Sequence, residues 1–206
     1  LDEADEQPEA THLETISSPK GAIEFKNVQF GYTPEKILMK NVDFSVQPKK
    51  TVAIVGPTGA GKTTLVNLLM RFYEINQGAI TFDGIDITKL SRQNLRNLFG
   101  MVLQNTWLFE GTVADNIAYG KKDASREEII EAAKIAQCDH FIRTLPQGYD
   151  TIISSENGAL SQGQQQLLTI ARIILANPPV VILDEATSSV DTRTEAHIQK
   201  AMETVG

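Results

Sequence analysis

The chain of 206 residues is 41% hydrophobic and 22% charged, enough for one sizeable core with a small second subdomain. Its net charge of −7 is uneven: residues 1–19 hold six acids and no lysine or arginine, so the rest is nearly neutral and lacks the basic footprint of a nucleic-acid binder. The single cysteine, Cys138, excludes an internal disulfide, suits a reducing compartment and reads as a small buried apolar residue rather than a catalytic thiol. No secretory leader pattern is visible, and the longest apolar runs, such as Val180-Val181-Ile182-Leu183, are too short to span a bilayer. Any membrane role falls to another segment or a partner.

Residues 1–20 are acidic, contain Pro8 and Pro19 and show no apolar period, the pattern of a linker or tail rather than core. The start at Leu1, without Met, suggests an excised piece. Residues 22–30 alternate roughly between apolar and polar, and residues 42–46 do so cleanly; both read as half-exposed antiparallel strands. Gly31-Tyr32-Thr33-Pro34 turns the chain between them. Tyr32, an aromatic on that turn, is a candidate to stack on a purine base, although a packing tyrosine is the simpler explanation from position alone.

Thr51-Val52-Ala53-Ile54-Val55 reads as a buried strand, and Thr64 to Met70 as a mostly buried helix. Between them Gly56-Pro57-Thr58-Gly59-Ala60-Gly61-Lys62-Thr63 fits G-x-x-x-x-G-K-[ST], a phosphate-binding loop. Glycines let the backbone wrap a phosphate, and the inward amide N–H groups make an anion nest. The start of the helix adds unsatisfied N–H donors and a positive dipole end. In such a loop Lys62 reaches the β- and γ-phosphates and the Thr63 hydroxyl ligates Mg²⁺. The alternative, a glycine-rich turn between core elements, is disfavoured by the flanking strand and helix.

Gly78 to Gly84 reads as a short strand closed by a turn, and Leu90 to Leu98 as a helix with Ser91 as its N-cap. Phe99 to Leu103 is another strand, with Gln104 at its carboxyl end, where open α/β sheets place ligands. Gln104 is thus a candidate to touch the Mg²⁺ or the attacking water, a role that position alone leaves open. Residues 112–177 run without a convincing strand over most of their length. Thr112 to Tyr119, Ser125 to Gln137 and Gln164 to Ala176 read as helices of an insertion subdomain. Ser125-Arg126-Glu127-Glu128 has capping-box form, and Ile129, Ala132, Ala133 and Ala136 make an apolar face behind it.

Leu160-Ser161-Gln162-Gly163-Gln164 heads the last of these helices, where Ser161 and the backbone around Gly163 make a ready anion site. An ordinary N-cap serine with its turn glycine is the commoner explanation of that pattern alone. Pro178 and Pro179 end the helix. Val180 to Leu183 then reads as a central buried strand, apolar on both faces and ending in Asp184 and Glu185. Acids there are costly unless they serve a purpose. After a phosphate loop, Asp184 fits a carboxylate that holds Mg²⁺, and Glu185 is placed to polarise a water for attack on the γ-phosphate. The alternative is two acids favoured by the dipole of the next helix. Asp191 and Thr192 lead into a helix from Glu195 to Met202.

Together these motifs, in this order, resemble the nucleotide-binding domain of ABC transporters from about Ile23 onward. Gly56 to Thr63 resembles the Walker A motif, Gln104 the Q-loop glutamine and Leu160 to Gln164 the family signature. Val181 to Glu185 resembles the Walker B with its following glutamate, and Ser188-Ser189-Val190-Asp191 the D-loop. Leu108 to Thr112 with Asn116-Ile117, and Leu145 to Thr151, resemble the exporter branch.

The resemblance implies an α/β fold: a P-loop NTPase core with a mixed or parallel central sheet, an antiparallel β subdomain and a helical insertion. It implies an ATPase domain over residues 21–206, with the helical subdomain at about 106–177, preceded by an acidic connector from a transmembrane half. Tyr32 would stack on adenine. Gly56, Thr58, Gly59, Ala60, Gly61, Lys62, Thr63 and Thr64 would bind the phosphates, with Ser161, Gly163, Gln164 and Asp191 supplied across a head-to-tail dimer. Thr63, Gln104 and Asp184 would hold Mg²⁺, and Glu185, Gln104 and Lys62 would carry catalysis. The implied partners are a second nucleotide-binding domain, identical or different, and coupling helices of a transmembrane domain near Gln104–Glu110 and Ser154–Gly158, at the cytoplasmic face of a membrane. No nucleic acid is expected.

Two departures stand out. Gln162 replaces the commonest glycine of the signature, while Ser161 and Gly163 remain. None of His12, His140 and His197 fits the family's switch histidine, so truncation before it and weak or absent turnover by the fragment are expected. A soluble ATPase of the same family acting on nucleic acid or ribosomes, and a binding-only nucleotide switch, are the alternative functions.

Overall fold

The computed structural model describes residues 8–33, 36–57, 59–103, 106–154 and 160–183, with the single positions 196 and 200. The chain divides into two compact units, Leu1–Leu98 and Phe99–Gly206.

In the first unit an antiparallel sheet has the order β2-β1-β3-β4, with β1 at Ile23–Phe30, β2 at Met39–Val46, β3 at Gln77–Phe82 and β4 at Ile85–Asp86. The apolar alternation of β1 slips by one residue, because the register shifts between Phe25 and Val28 in its pairing with β2. Ile23, Phe25, Val28 and Phe30 thereby all face inward and are buried. A bulge of this kind places two residues against one and keeps the apolar side on the core. Gly78 sits against it with φ +91°, and a Cβ there would lie 2.4 Å from the carbonyl oxygens of both Lys26 and Asn27, so only glycine fits. Phe25 stacks on Phe44 across the sheet at 4.5 Å. Asp83 and Gly84, both at positive φ, turn β3 into β4.

Helix α1, Lys62–Leu69, buries Thr64, Leu68 and Leu69. Helix α2, Arg92–Arg96, begins at Ser91, whose hydroxyl accepts from the Asn94 N–H at 3.1 Å. The expected strand at 51–55 is a correction. Thr51 to Val55 has no regular structure and is exposed, Val55 at 88%. A strand exists through its ladder partners, and among the described residues the four strands of this sheet pair with one another and not with 51–55. The described part of the acidic segment is mostly exposed, yet it is tied down. Glu9 accepts from the Arg92 N–H at 2.7 Å, Glu14 donates its N–H to the Lys89 carbonyl at 2.8 Å, and Asp83 accepts from the N–H of Lys20 at 2.6 Å.

In the second unit β5, Phe99–Val102, pairs in parallel with β8, Val180–Leu183, from Phe99 against Val180 to Val102 against Leu183. The expected burial of β8 on both faces is not observed: its residues are half-buried and Leu183 is exposed, since β5 is its one ladder neighbour among the described residues. Helices α3 (Val113–Ala118), α4 (Arg126–Ile135), α5 (Asp139–Thr144) and α6 (Gln162–Ala176) form the insertion, with α3 and α4 packed on α6. Val113, Ile117, Ala133, Cys138, Ile142, Leu168 and Ala171 are fully buried between them. The insertion also holds a two-residue ladder, β6 (Gly111–Thr112) against β7 (Ile152–Ile153), where no strand was expected. Each is too short to show a period of two. The helix expected at Glu195–Met202 lies outside the described residues apart from positions 196 and 200.

The Cys138 Sγ donates to the Ala133 carbonyl at 3.3 Å, and burial, reinforced by the neighbouring Asp139 carboxylate, pushes its thiol far above the ordinary range. Thiolate, the reactive form, is then negligible near neutrality. Iodoacetamide should leave the folded protein unmodified at pH 7.5 and label one cysteine after unfolding, with intact mass as the readout; labelling of the folded protein would contradict this burial.

Candidate functional site

The first unit assembles a phosphate-type loop at the head of α1. Gly61 is the N-cap, with φ 93° and ψ 11°, a left-handed conformation in which a side chain is strained. No side chain caps this end, so the first N–H groups of α1 stay turned toward the loop. The Gly61 carbonyl takes the Leu65 N–H at 2.9 Å, and the Pro57 carbonyl takes the Ala60 N–H at 3.1 Å. The Lys62 ammonium reaches back across the loop and donates to the carbonyls of Gly56 at 2.7 Å and Pro57 at 3.1 Å. Thr63 is exposed. Backbone donors, a helix start and a lysine thus converge where an anion is favoured. Gly56, Gly59, Ala60, Gly61, Lys62 and Thr63 are brought together here; Thr58 lies outside the described residues.

Tyr32 joins this loop through Thr64. The hydroxyls of Tyr32 and Thr64 lie 2.9 Å apart. Thr64 is buried, while Tyr32 is 54% exposed. Phe30 and Tyr73 contact that ring nearly edge-on, with centroids at 4.9 Å and 5.1 Å. An accessible aromatic ring fixed beside a phosphate loop has the form of a purine platform. Tyr73 escaped the sequence reading; its one local signal is an aromatic pair, Phe72-Tyr73, shortly after the end of the phosphate helix.

In the second unit Ser161 is the N-cap of α6 in a complete capping box. Its Oγ accepts from the Gln164 N–H at 3.3 Å, and the Gln164 Oε1 accepts from the Ser161 N–H at 2.9 Å. Ser161 and Gln162 are exposed and Gly163 is buried. Because Oγ serves the cap as an acceptor, its O–H proton stays available to a further acceptor. The cap explanation and the anion-site explanation are therefore compatible at this residue. Gln164 turns its side chain to the cap.

The segment 106–110 of this unit carries an aromatic surface. Trp107 and Tyr119 are 61% and 66% exposed and lie 6.2 Å apart, with Phe109 within 6 Å of both. Asn116, fully buried, donates to the carbonyls of Phe109 and Thr112 and accepts from the Phe109 N–H. Arg172 of α6 donates to the carbonyls of Asn116 and Trp107 and lies over the Tyr119 ring at 5.1 Å.

Gln104, Asp184, Glu185 and Asp191 lie outside the described residues, as do positions 155–158 of the second expected coupling contact. Among the described residues no cluster of three or more His, Cys, Asp or Glu is placed to hold a metal, and no helix is long and apolar enough to cross a membrane.

A family model described as ABC transporter matches residues 39–188. A fatty acid ABC transporter ATP-binding/permease protein of Mycobacterium bovis is 55% identical over 202 residues, 98% of this chain and 32% of that protein. An ATP-dependent lipid A-core flippase of Legionella pneumophila is 50% identical over 186 residues, 90% of this chain and 32% of that protein. A solved structure of a bacterial Atm1-family ABC exporter with ATP bound matches with a TM-score of 0.89 and 41% identity, covering 99% of this chain and 36% of that one. The chain spans about a third of the length of the curated relatives it matches.

Replacing Ser161 with alanine removes one side of the α6 capping box and should cost about 1 kcal/mol of stability. Urea unfolding of Ser161→Ala against the parent tests this, and an unchanged midpoint would contradict the cap.

Proposed function

The chain belongs to the ABC transporter family and has its α/β P-loop ATPase fold, and we propose that it is the ATP-binding and hydrolysing module that powers export by a membrane transporter. The observation that carries this reading is the loop at the head of α1, where uncapped N–H groups and the Lys62 ammonium converge within reach of the Tyr32 ring through Thr64. Residues 21–206 form the ATPase domain, with the helical subdomain at about 106–177.

The residues suit a nucleoside triphosphate. Loop amides from Gly56 to Thr63 and the start of α1 bind phosphate oxygens, and Tyr32 stacks on the base. Lys62 exchanges two neutral carbonyl partners for the β- and γ-phosphates, a charge-assisted contact of the stronger kind. Thr63, Gln104 and Asp184 are the residues that would hold Mg²⁺, which supplies neutralisation of charge developing on the phosphates. Glu185 takes the proton of the attacking water.

Ser161 and Gly163 meet the γ-phosphate bound by a second copy or a related domain, while Gln164 closes the cap behind them and Asp191 lies at the same interface. The exposed N-terminus of α6 and the spare O–H proton of Ser161 support this. Nucleotide binding and release then couple to dimer closing and opening. The Trp107-Phe109-Tyr119 surface is the docking face for the coupling helices of a transmembrane domain, at the cytoplasmic face of the membrane. Its exposure together with its rigid support from Asn116 and Arg172 favours a contact role.

Lys62→Ala should weaken ATP binding by at least tenfold, about 1.4 kcal/mol, in a calorimetric titration. Unchanged affinity would remove the lysine from the site. Glu185→Gln should retain ATP affinity and lose phosphate release by a factor on the order of a hundred or more, the usual worth of a general base. Equal phosphate release by the variant and a measurably active parent would exclude that role.

A further inference from the structure

We propose that Tyr73 is a positioning residue for nucleotide recognition: it holds the Tyr32 ring in the orientation that meets the base. This rests on the reading of Tyr32 as the base platform. The Tyr73 ring lies 5.1 Å from Tyr32 at 89° and 5.9 Å from Phe30. Tyr32 is thus located from three directions. Thr64 of the phosphate helix fixes its hydroxyl, Phe30 of β1 meets it nearly edge-on, and Tyr73 supplies the third contact.

The backbone that carries Tyr73 is held on both sides. The chain reverses after α1 at Arg71, with φ 52°, and the Arg71 N–H bonds to the Leu68 carbonyl at 3.1 Å. The buried Arg71 guanidinium then pairs with Glu74 at 2.8 Å, closing an ion pair across residues 72 and 73. Downstream, Asn76 joins the two aromatic segments directly. Its N–H donates to the Gln29 carbonyl at 2.9 Å, and its Oδ1 accepts the Gly31 N–H at 2.7 Å. The backbones carrying Tyr32 and Tyr73 are therefore tied together independently of their rings. A side chain on so firm a base, packed against the ring that meets the ligand, lowers the ordering cost of binding.

The test is calorimetric titration of the protein with ATP and with inorganic tripolyphosphate, each in the presence of Mg²⁺, for the parent, Tyr73→Leu, Tyr73→Phe, Tyr32→Leu and the double variant Tyr32→Leu/Tyr73→Leu. An edge-to-face aromatic pair is worth enough that Tyr73→Leu should weaken ATP binding about two- to tenfold. Tripolyphosphate, which has no base, should bind as before, and Tyr73→Phe should bind ATP like the parent. In the Tyr32→Leu background Tyr73→Leu should add nothing, because residues acting as a unit are not additive.

Unchanged ATP affinity in Tyr73→Leu, an equal loss for tripolyphosphate, or a full additional loss in the double variant would each overturn the proposal. If Tyr32→Leu itself binds ATP like the parent, the base-platform reading fails instead, and the proposal with it. Loss in Tyr32→Leu without loss in Tyr73→Leu overturns the proposal alone.

Discussion

Arg71 is only 5% exposed, and a guanidinium removed from water has to be paired, since an uncompensated buried charge costs several kcal/mol. It finds its partners in three places. It donates to the carbonyls of Ile87 and Leu90, and it pairs with Glu74, which also receives Arg92. Arg96 adds bonds to the carbonyls of Met70 and Arg71 themselves. The end of α1, the turn after β4 and the helix α2 are thereby drawn to one point. A buried ion network is poor evidence of net stability, but its directional bonds define one geometry. Much of what the first unit presents depends on that geometry: the phosphate loop is the opposite end of the same helix, and Tyr73 leaves directly from its close.

Among its described residues the second unit solves a related problem without a buried ion pair. The segment 106–110 has no ladder to satisfy its backbone, so side chains take over. The Asn116 amide offers both donor and acceptor to the Phe109 backbone, and Arg172 covers the carbonyls of Trp107 and Asn116. Backbone order is thus obtained without covering the aromatic side chains. The same helix, α6, carries Arg172 near one end and Ser161 at the other, so a single rigid element of 15 residues spans the aromatic surface and the capped terminus.

What was legible in the sequence was local. The phosphate-loop motif was legible in neighbouring residues, although the strand expected before it did not form. The capping serines at 91, 125 and 161, the alternation of β1 and the apolar face of α4 follow from neighbouring residues too, and the structure agrees with them. Thr51 to Val55 was misread because apolar composition alone does not make a strand; a ladder partner does. Helix α5 was missed because it has six residues and follows a reversal at Gln137, with φ 61°. The Arg71 network, the Tyr32–Thr64 bond and the anchoring of Glu9 on Arg92 join residues 3 to 83 positions apart, mostly with no periodic trace in the sequence. The acids of the expected catalytic strand, Asp184 and Glu185, were identified by pattern and lie outside the described residues.

Three helices of the second unit open with the same box, yet they differ in charge. Thr112 is answered by Asp115 and Ser125 by Glu128, and hydrogen bonds hold both carboxyls below their ordinary range, hence ionised; for Asp115 the Thr112 bonds dominate, for Glu128 the Lys121 contact. Each of those helix ends carries its own counter-anion, which offsets the partial positive charge of the first turn. Ser161 is answered by Gln164, an amide. It completes the same two hydrogen bonds and contributes no charge. The first turn of α6 therefore keeps its full positive end, mechanically sealed but electrostatically open. A carboxylate at this position would cap equally well and repel any phosphate brought to it. The choice of amide over acid separates the two tasks of a helix terminus, satisfying its own amides and attracting a foreign anion.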